Sequence, residues 1–138
     1  MVAAATAAAL AVSLSSAPAS AATTSGCNAY LIPDFRAYGY ADVTWGGKNT
    51  ISALALYVKD IDADGHSVGI RLHTVTRDNN DHYWSWHRNY GGNGSGITYG
   101  TSATDSNGII AARAQVGVFE GSSLLASCYT SAVTNPYA

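Results

Sequence analysis

The sequence predicts an all-β protein, an antiparallel β-sandwich of about seven or eight strands. Three observations lead there. Glycine (14 residues), tyrosine (9), serine and threonine are plentiful, a composition that suits pleated strands and tight turns rather than helices. Two stretches alternate with a period of two: Val68, Ile70 and Leu72 against Arg71, His73 and Arg77, and later Ile110, Ala112, Ala114, Val116 and Val118 on one side. Turn-forming clusters recur at short spacing, at 46–49, 77–81, 91–96, 104–108 and 121–123, with no helical periodicity between them. A chain of 138 residues is long enough for one domain with a real core, and 47% hydrophobic against 12% charged residues excludes a disordered tail. Net charge is −2, with five arginines and two lysines scattered singly. Without a basic stripe, no nucleic-acid partner is expected.

The elements follow in order. Residues 1–21 form an Ala/Leu/Val run that ends in Ala19-Ser20-Ala21, the small-x-small pattern of an export signal, although no basic residue precedes Arg36. The run is too short for a spanning helix, so the expected product is secreted, begins at Ala22 and does not enter a membrane. In such a chain two cysteines imply one disulfide, Cys27 to Cys128. A lipid-modified Cys27 is the weaker account, since Thr24 stands where a lipoprotein signal carries an aliphatic residue. Residues 22–36 read as an N-terminal arm or edge strand, because Pro33 is incompatible with a central strand. The apolar Tyr30, Leu31 and Ile32 would either complete the chain's own sheet or pair with a partner's sheet edge.

The sandwich domain spans 37–130. After a turn at 46–49, Ile51 to Lys59 is apolar on both faces, as in a strand covered on both sides. With His66 to Arg77 it is expected to make a hairpin around a three-residue Ala63-Asp64-Gly65 loop. That register sets Val58 opposite Ile70 and Leu56 opposite Leu72, and Gly65 takes the left-handed position without steric penalty. His82 to Tyr90 reads as one aromatic strand with Trp84 and Trp86 on one side. Short strands at 97–101, 109–120 and 124–130 complete the domain, and residues 131–138 read as a loose tail.

Few groups suggest chemistry. Asp60, Asp62, Asp64 and Gly65 match the front half of a calcium loop, but Arg71 occupies the position of the closing glutamate, so a solvated acidic turn is the expectation. The histidines lack zinc-ligand spacing. Glu120 is the lone glutamate and no nucleophile motif occurs, so the chain is expected to be no enzyme and to need no cofactor. The aromatic strand is the better lead. Tyr83, Trp84, Trp86 and Tyr90, with Trp45, would stack sugar rings as a carbohydrate-binding module or anchor another secreted protein. Alternatively, Trp84 and Trp86 fill the space between two sheets.

The run Asp60-Ile61-Asp62-Ala63-Asp64-Gly65-His66-Ser67-Val68, together with the Ala-rich export segment and Asp105-Ser106-Asn107-Gly108-Ile109, resembles small exported actinobacterial proteins. In these a D-x-x-A-D-G-H-x-V run links two strands of a disulfide-tied sandwich. Some chains of this kind look like the small bridging subunit of umbrella toxin particles. The resemblance implies a protein-binding role within an extracellular antibacterial complex, with Cys27 to Pro33 as the segment completing a partner's sheet.

Overall fold

The computed structural model describes residues 20–138. The export segment therefore lies outside the described residues, apart from Ser20 and Ala21. The chain forms strands β1 (Ser20–Thr23), β2 (Cys27–Leu31), β3 (Asp34–Gly47), β4 (Thr50–Asp60), β5 (Ser67–Thr76), β6 (Asp81–Tyr83), β7 (His87–Asn89), β8 (Gly96–Thr104), β9 (Ile109–Glu120), β10 (Ser123–Tyr129) and β11 (Val133–Thr134). Every pairing is antiparallel.

Two sheets result. In the first, β4 lies along one side of β3 and carries β8 beyond it, while β1 and β2 share the other side of β3 end to end. In the second, β5 lies along one side of β9, and β10 and β11 share the other; β6 and β7 then share the far side of β5. Among the described residues the sheets hold five and six strands and each is four strands wide. The antiparallel sandwich is as expected, but it is built from eleven strands rather than seven or eight, because the outer positions are shared by short strands placed end to end. Cys27 and Cys128 are bonded and tie β2 of one sheet to β10 of the other.

The expected hairpin is the main correction. β4 pairs with β3 and β8, whereas β5 pairs with β9, β6 and β7, so the two strands face each other across the sandwich. Leu54, Leu56, Val58, Val68, Ile70 and Leu72 are all buried in one core, as expected, but no register joins β4 to β5. Two inward-facing apolar rows satisfy the same pattern side by side in a sheet or face to face between sheets. The connection at 61–66 spans the separation of about 10 Å between packed sheets. Gly65 does take a left-handed conformation, with φ 78°.

β3 supplies small inward residues, Ala37, Gly39, Ala41 and Val43, followed by the wholly buried Trp45. Trp45 is therefore a core residue and no part of an aromatic platform. Gly39 leaves no room for a side chain: a Cβ there would lie 2.7 Å from Val116 Cγ2 of the opposite sheet and 2.7 Å from Tyr57 O of neighbouring β4. On β9 a register shift beside Val75 and Thr76 turns Ile109, rather than Ile110, fully inward.

Both ends of the domain are held. β2 hydrogen-bonds along β3, with Ile32 and Pro33 in the turn between them, so the arm at 22–36 completes its own sheet as an edge strand. The tail at 131–138, expected to be loose, is docked. Val133 and Thr134 pair with Ala112 and Ala111, and buried Asn135 donates from Nδ2 to Gly47 O (3.0 Å) and Ile109 O (2.7 Å), one carbonyl from each sheet.

Candidate functional site

The aromatic segment is not one continuous strand. Tyr83 stands opposite His73 and His87 opposite Ile70, so Trp84, Ser85 and Trp86 face only Arg71 and Leu72 on β5. That extra residue makes a bulge, which re-aims side chains. The tryptophans therefore do not share a side. Trp84 packs against the core, stacks on His82 (4.3 Å, 18°) and donates its indole N–H to Thr74 Oγ1 (3.1 Å). It walls a cleft of about 220 Å3 between the sheets, floored by Leu54, Leu56 and Leu72 and rimmed by Ser85 and His87. Trp86 instead lies on the outer face of the second sheet, edge-on to Phe119 at 4.9 Å.

On that outer face arginine, tyrosine and histidine side chains gather. β5 contributes Arg71 and His73, and its register places Gln115 and Arg113 of β9 directly opposite them. Tyr129 of β10 faces Gln115, and Tyr83 of β6 faces His73. The Arg71 guanidinium lies 4.5 Å from the centroids of both Tyr83 and Trp86. Arg113 sits 4.1 Å over Tyr129, and Arg88 3.7 Å over Phe119 and 5.2 Å from Tyr90. Charge over an aromatic face is attractive and fixes the planar guanidinium in place. Tyr83 (43% exposed), Tyr129 (38%) and Tyr90 (74%) reach solvent.

Hydrogen bonds lock the pattern. Arg71 Nε donates to Gln115 Oε1 (2.8 Å), whose amide nitrogen donates to Ser127 Oγ (3.0 Å). Arg113 Nε donates to His73 Nδ1 (2.9 Å), so Nε2 carries the imidazole proton and donates to Asp81 Oδ1 (2.8 Å). Burial pushes the His73 pKa down and the nearby charges of Arg113 and Arg71 push the same way, outweighing the bond to Asp81. Protonation at Nδ1 would set two N–H donors against each other. Tyr129 is raised by its hydroxyl contact with Tyr83 (3.3 Å) and by burial, against the lowering effect of the two arginines.

The acidic run is tied down rather than solvated. Arg36 of β3 is ion-paired with Asp62 and lies 3.5 Å from Asp64. His66 contacts Asp64 through Nδ1 (2.8 Å) and Glu120 through Nε2 (3.1 Å), so the loop clasps the first sheet to the end of β9. Burial works to raise Asp64, but hydrogen bonds from the His66 ring and backbone, with the charges of His66 and Arg36, hold it below the usual value. Asp60 is 2% exposed and accepts the Asp62 N–H; burial and the Asp64 charge raise its pKa. Among the described residues no group of three or more His, Cys, Asp or Glu is placed to hold a metal ion.

Of the remaining expected residues, Tyr30 and Ile32 are exposed at the β2–β3 turn, Tyr30 edge-on to Phe35 at 5.4 Å, while Leu31 packs on the core. His82 Nδ1 meets Asp105 Oδ2 at 2.9 Å, and that bond, with the Asn107 backbone N–H, lowers the Asp105 pKa. This is a base-and-orienter pair, but no hydroxyl or thiol is hydrogen-bonded to its other nitrogen among the described residues. The sequence reading missed Arg71, Arg88, Arg113, His73 and Tyr129. Arg71, His73 and Arg113 share the outward parity of β5 and β9, and Arg88 of β7 and Tyr129 of β10 join them through their registers with Gly69 and Gln115. Comparison of the chain with protein-family models, curated proteins and solved structures finds no match.

Proposed function

We propose that this chain is an exported, non-enzymatic binding module that works by docking another secreted protein on the outer face of its second sheet. One observation carries the reading. Tyr83, Trp86 and Tyr129 interleave there with Arg71, Arg88 and Arg113, the residue types that concentrate at the energetic centres of protein interfaces. Backbone ladders and hydrogen-bonded side chains hold this face rigid, so little ordering entropy opposes docking. A sugar-stacking platform is less well supported, because Trp84 is turned toward the core and Tyr83, Trp86 and Tyr129 each already face a guanidinium. Export is supported by the small-x-small pattern at Ala19-Ser20-Ala21 and by the disulfide, a bond favoured in oxidising compartments.

The finer reading, a small subunit of an extracellular antibacterial particle, rests on the resemblance at 60–68. The test is affinity purification of the tagged full chain from culture medium. A stoichiometric protein partner is expected, and Tyr83→Ala with Trp86→Ala should release it while the variant still unfolds cooperatively, at a lower melting temperature because Phe119 loses its cover. A strictly monomeric product with no stable partner would sink the reading.

A further inference from the structure

Three of the five arginines in the chain, Arg71, Arg88 and Arg113, stand on this one face, although the chain as a whole carries a net charge of −2. Among the described residues none of the three is ion-paired with a carboxylate. Arg71 and Arg113 share a further geometry. Each has its Nε bonded to a buried neighbour, Gln115 or His73, and its plane stacked on an aromatic ring. A guanidinium anchored in this way keeps its paired Nη groups for bidentate contact with an anion. The hydroxyls of Tyr83 and Tyr129 meet at 3.3 Å within the same cluster and add hydrogen-bonding capacity. Beside Arg113 lies a hollow of about 190 Å3, lined by His73, Val75, Ala111, Ala112, Arg113 and Ala132, with room for an aliphatic side chain.

We infer that Arg71 and Arg113 form a two-arginine clamp for carboxylates, and that the occupant of this face is an acidic segment of the partner protein. The inference rests on the protein-docking reading above and adds the chemistry of the partner. Positive charge concentrated on one face of an acidic chain is matched by negative charge on what docks there. Glutamate or aspartate side chains supply the planar carboxylates that the stacked guanidinium planes fit. The hollow takes an aliphatic residue of the same segment.

The test is titration of the intact chain with a deca-glutamate peptide, read by Trp fluorescence and calorimetry at low and physiological salt. Polygalacturonate is run in parallel as a carboxylate polymer that is not a peptide. Deca-glutamate should bind, with affinity falling as salt rises. Arg71→Gln and Arg113→Gln should each weaken it about tenfold or more. Arg71→Lys should fail to restore binding, and Arg77→Gln, away from the face, should change nothing. A second variant guards against misfolding, since Gln115→Ala frees the Arg71 anchor while leaving both charges and should also weaken binding. No deca-glutamate binding at low salt, or equal losses in all arginine variants, overturns the clamp. Binding of polygalacturonate alone overturns it in favour of a polysaccharide. In the culture-medium experiment, a partner that co-purifies undiminished with Arg71→Gln/Arg113→Gln defeats the acidic segment but leaves protein docking standing. No partner at all defeats the docking reading itself.

Discussion

Replacing Cys27 and Cys128 together with serine removes the covalent tie between β2 and β10, the outermost strands of opposite sheets. The two cysteines are separated by 101 positions, so the bond closes nearly the whole domain into one loop. In the chain-entropy model a loop of that length restricts the unfolded state by about 4.7 kcal/mol. The folded state gives some of the stabilisation another footing, because β2 keeps its ladder to β3 and Thr24 and Ala41 exchange two hydrogen bonds of 2.9 Å. The variant should therefore fold to the same structure but lose up to about 4–5 kcal/mol, equivalent to a drop of roughly 15–20 °C in Tm. Urea unfolding followed by tryptophan fluorescence measures this directly. The urea slope m should rise, since an uncrosslinked unfolded chain exposes more surface. A loss below about 1 kcal/mol with unchanged m would refute the reasoning, because it would mean that the unfolded chain is already compact without the bond.

Three further outcomes follow from buried polar groups. His73 has its pKa lowered in the fold from 6.5, so it binds a proton more readily when unfolded. Its contribution to stability is present above pH 6.5 and lost as pH falls below that value. Melting temperature should decline below about pH 6.5 in the parent more steeply than in His73→Gln. Asp60 behaves oppositely: its raised pKa favours folding below the unfolded value of 3.8 and opposes it as pH rises. Asp60→Asn keeps an acceptor for the Asp62 N–H and should raise stability at pH 7 in a denaturant titration; a loss there would contradict the sign. Asn135→Ala leaves the Gly47 and Ile109 carbonyls without their amide donor and should cost about 2–3 kcal/mol by the same assay.

The alternation of Val68, Ile70 and Leu72 correctly named core residues, since side-chain parity along a strand is local information. Which sheet each strand joins is not local: Leu56 facing Leu72 from the opposite sheet looks, in sequence, like Leu56 paired with Leu72. The tryptophans were misplaced by one bulge residue between β6 and β7, which flips parity without a glycine to announce it. The disulfide was legible because two cysteines leave one pairing. The arginine cluster was invisible because it forms only when β5 lies beside β9, bringing His73 opposite Arg113. The acidic loop looked idle because Arg36, which pairs with Asp62, belongs to β3.

The crossing between β4 and β5 also sets the order of assembly. β3 and β4 can zip together around their own short turn as soon as both exist, and β1 and β2 can add to them. β5 must wait for β9, from Thr76 meeting Ile109 to Ser67 meeting Phe119, before its ladder is complete. Contacts so distant in sequence slow folding toward the millisecond-to-second range typical of sandwiches. During that interval the Val68–Val75 run can pair only with the short β6 and β7, so its β9-facing edge, rich in β-branched residues, stays open and aggregation-exposed. Arg71 and His73 sit inside that run, so the residues proposed to hold a partner also serve, before folding ends, as the polar interruptions that keep it from pairing with another chain.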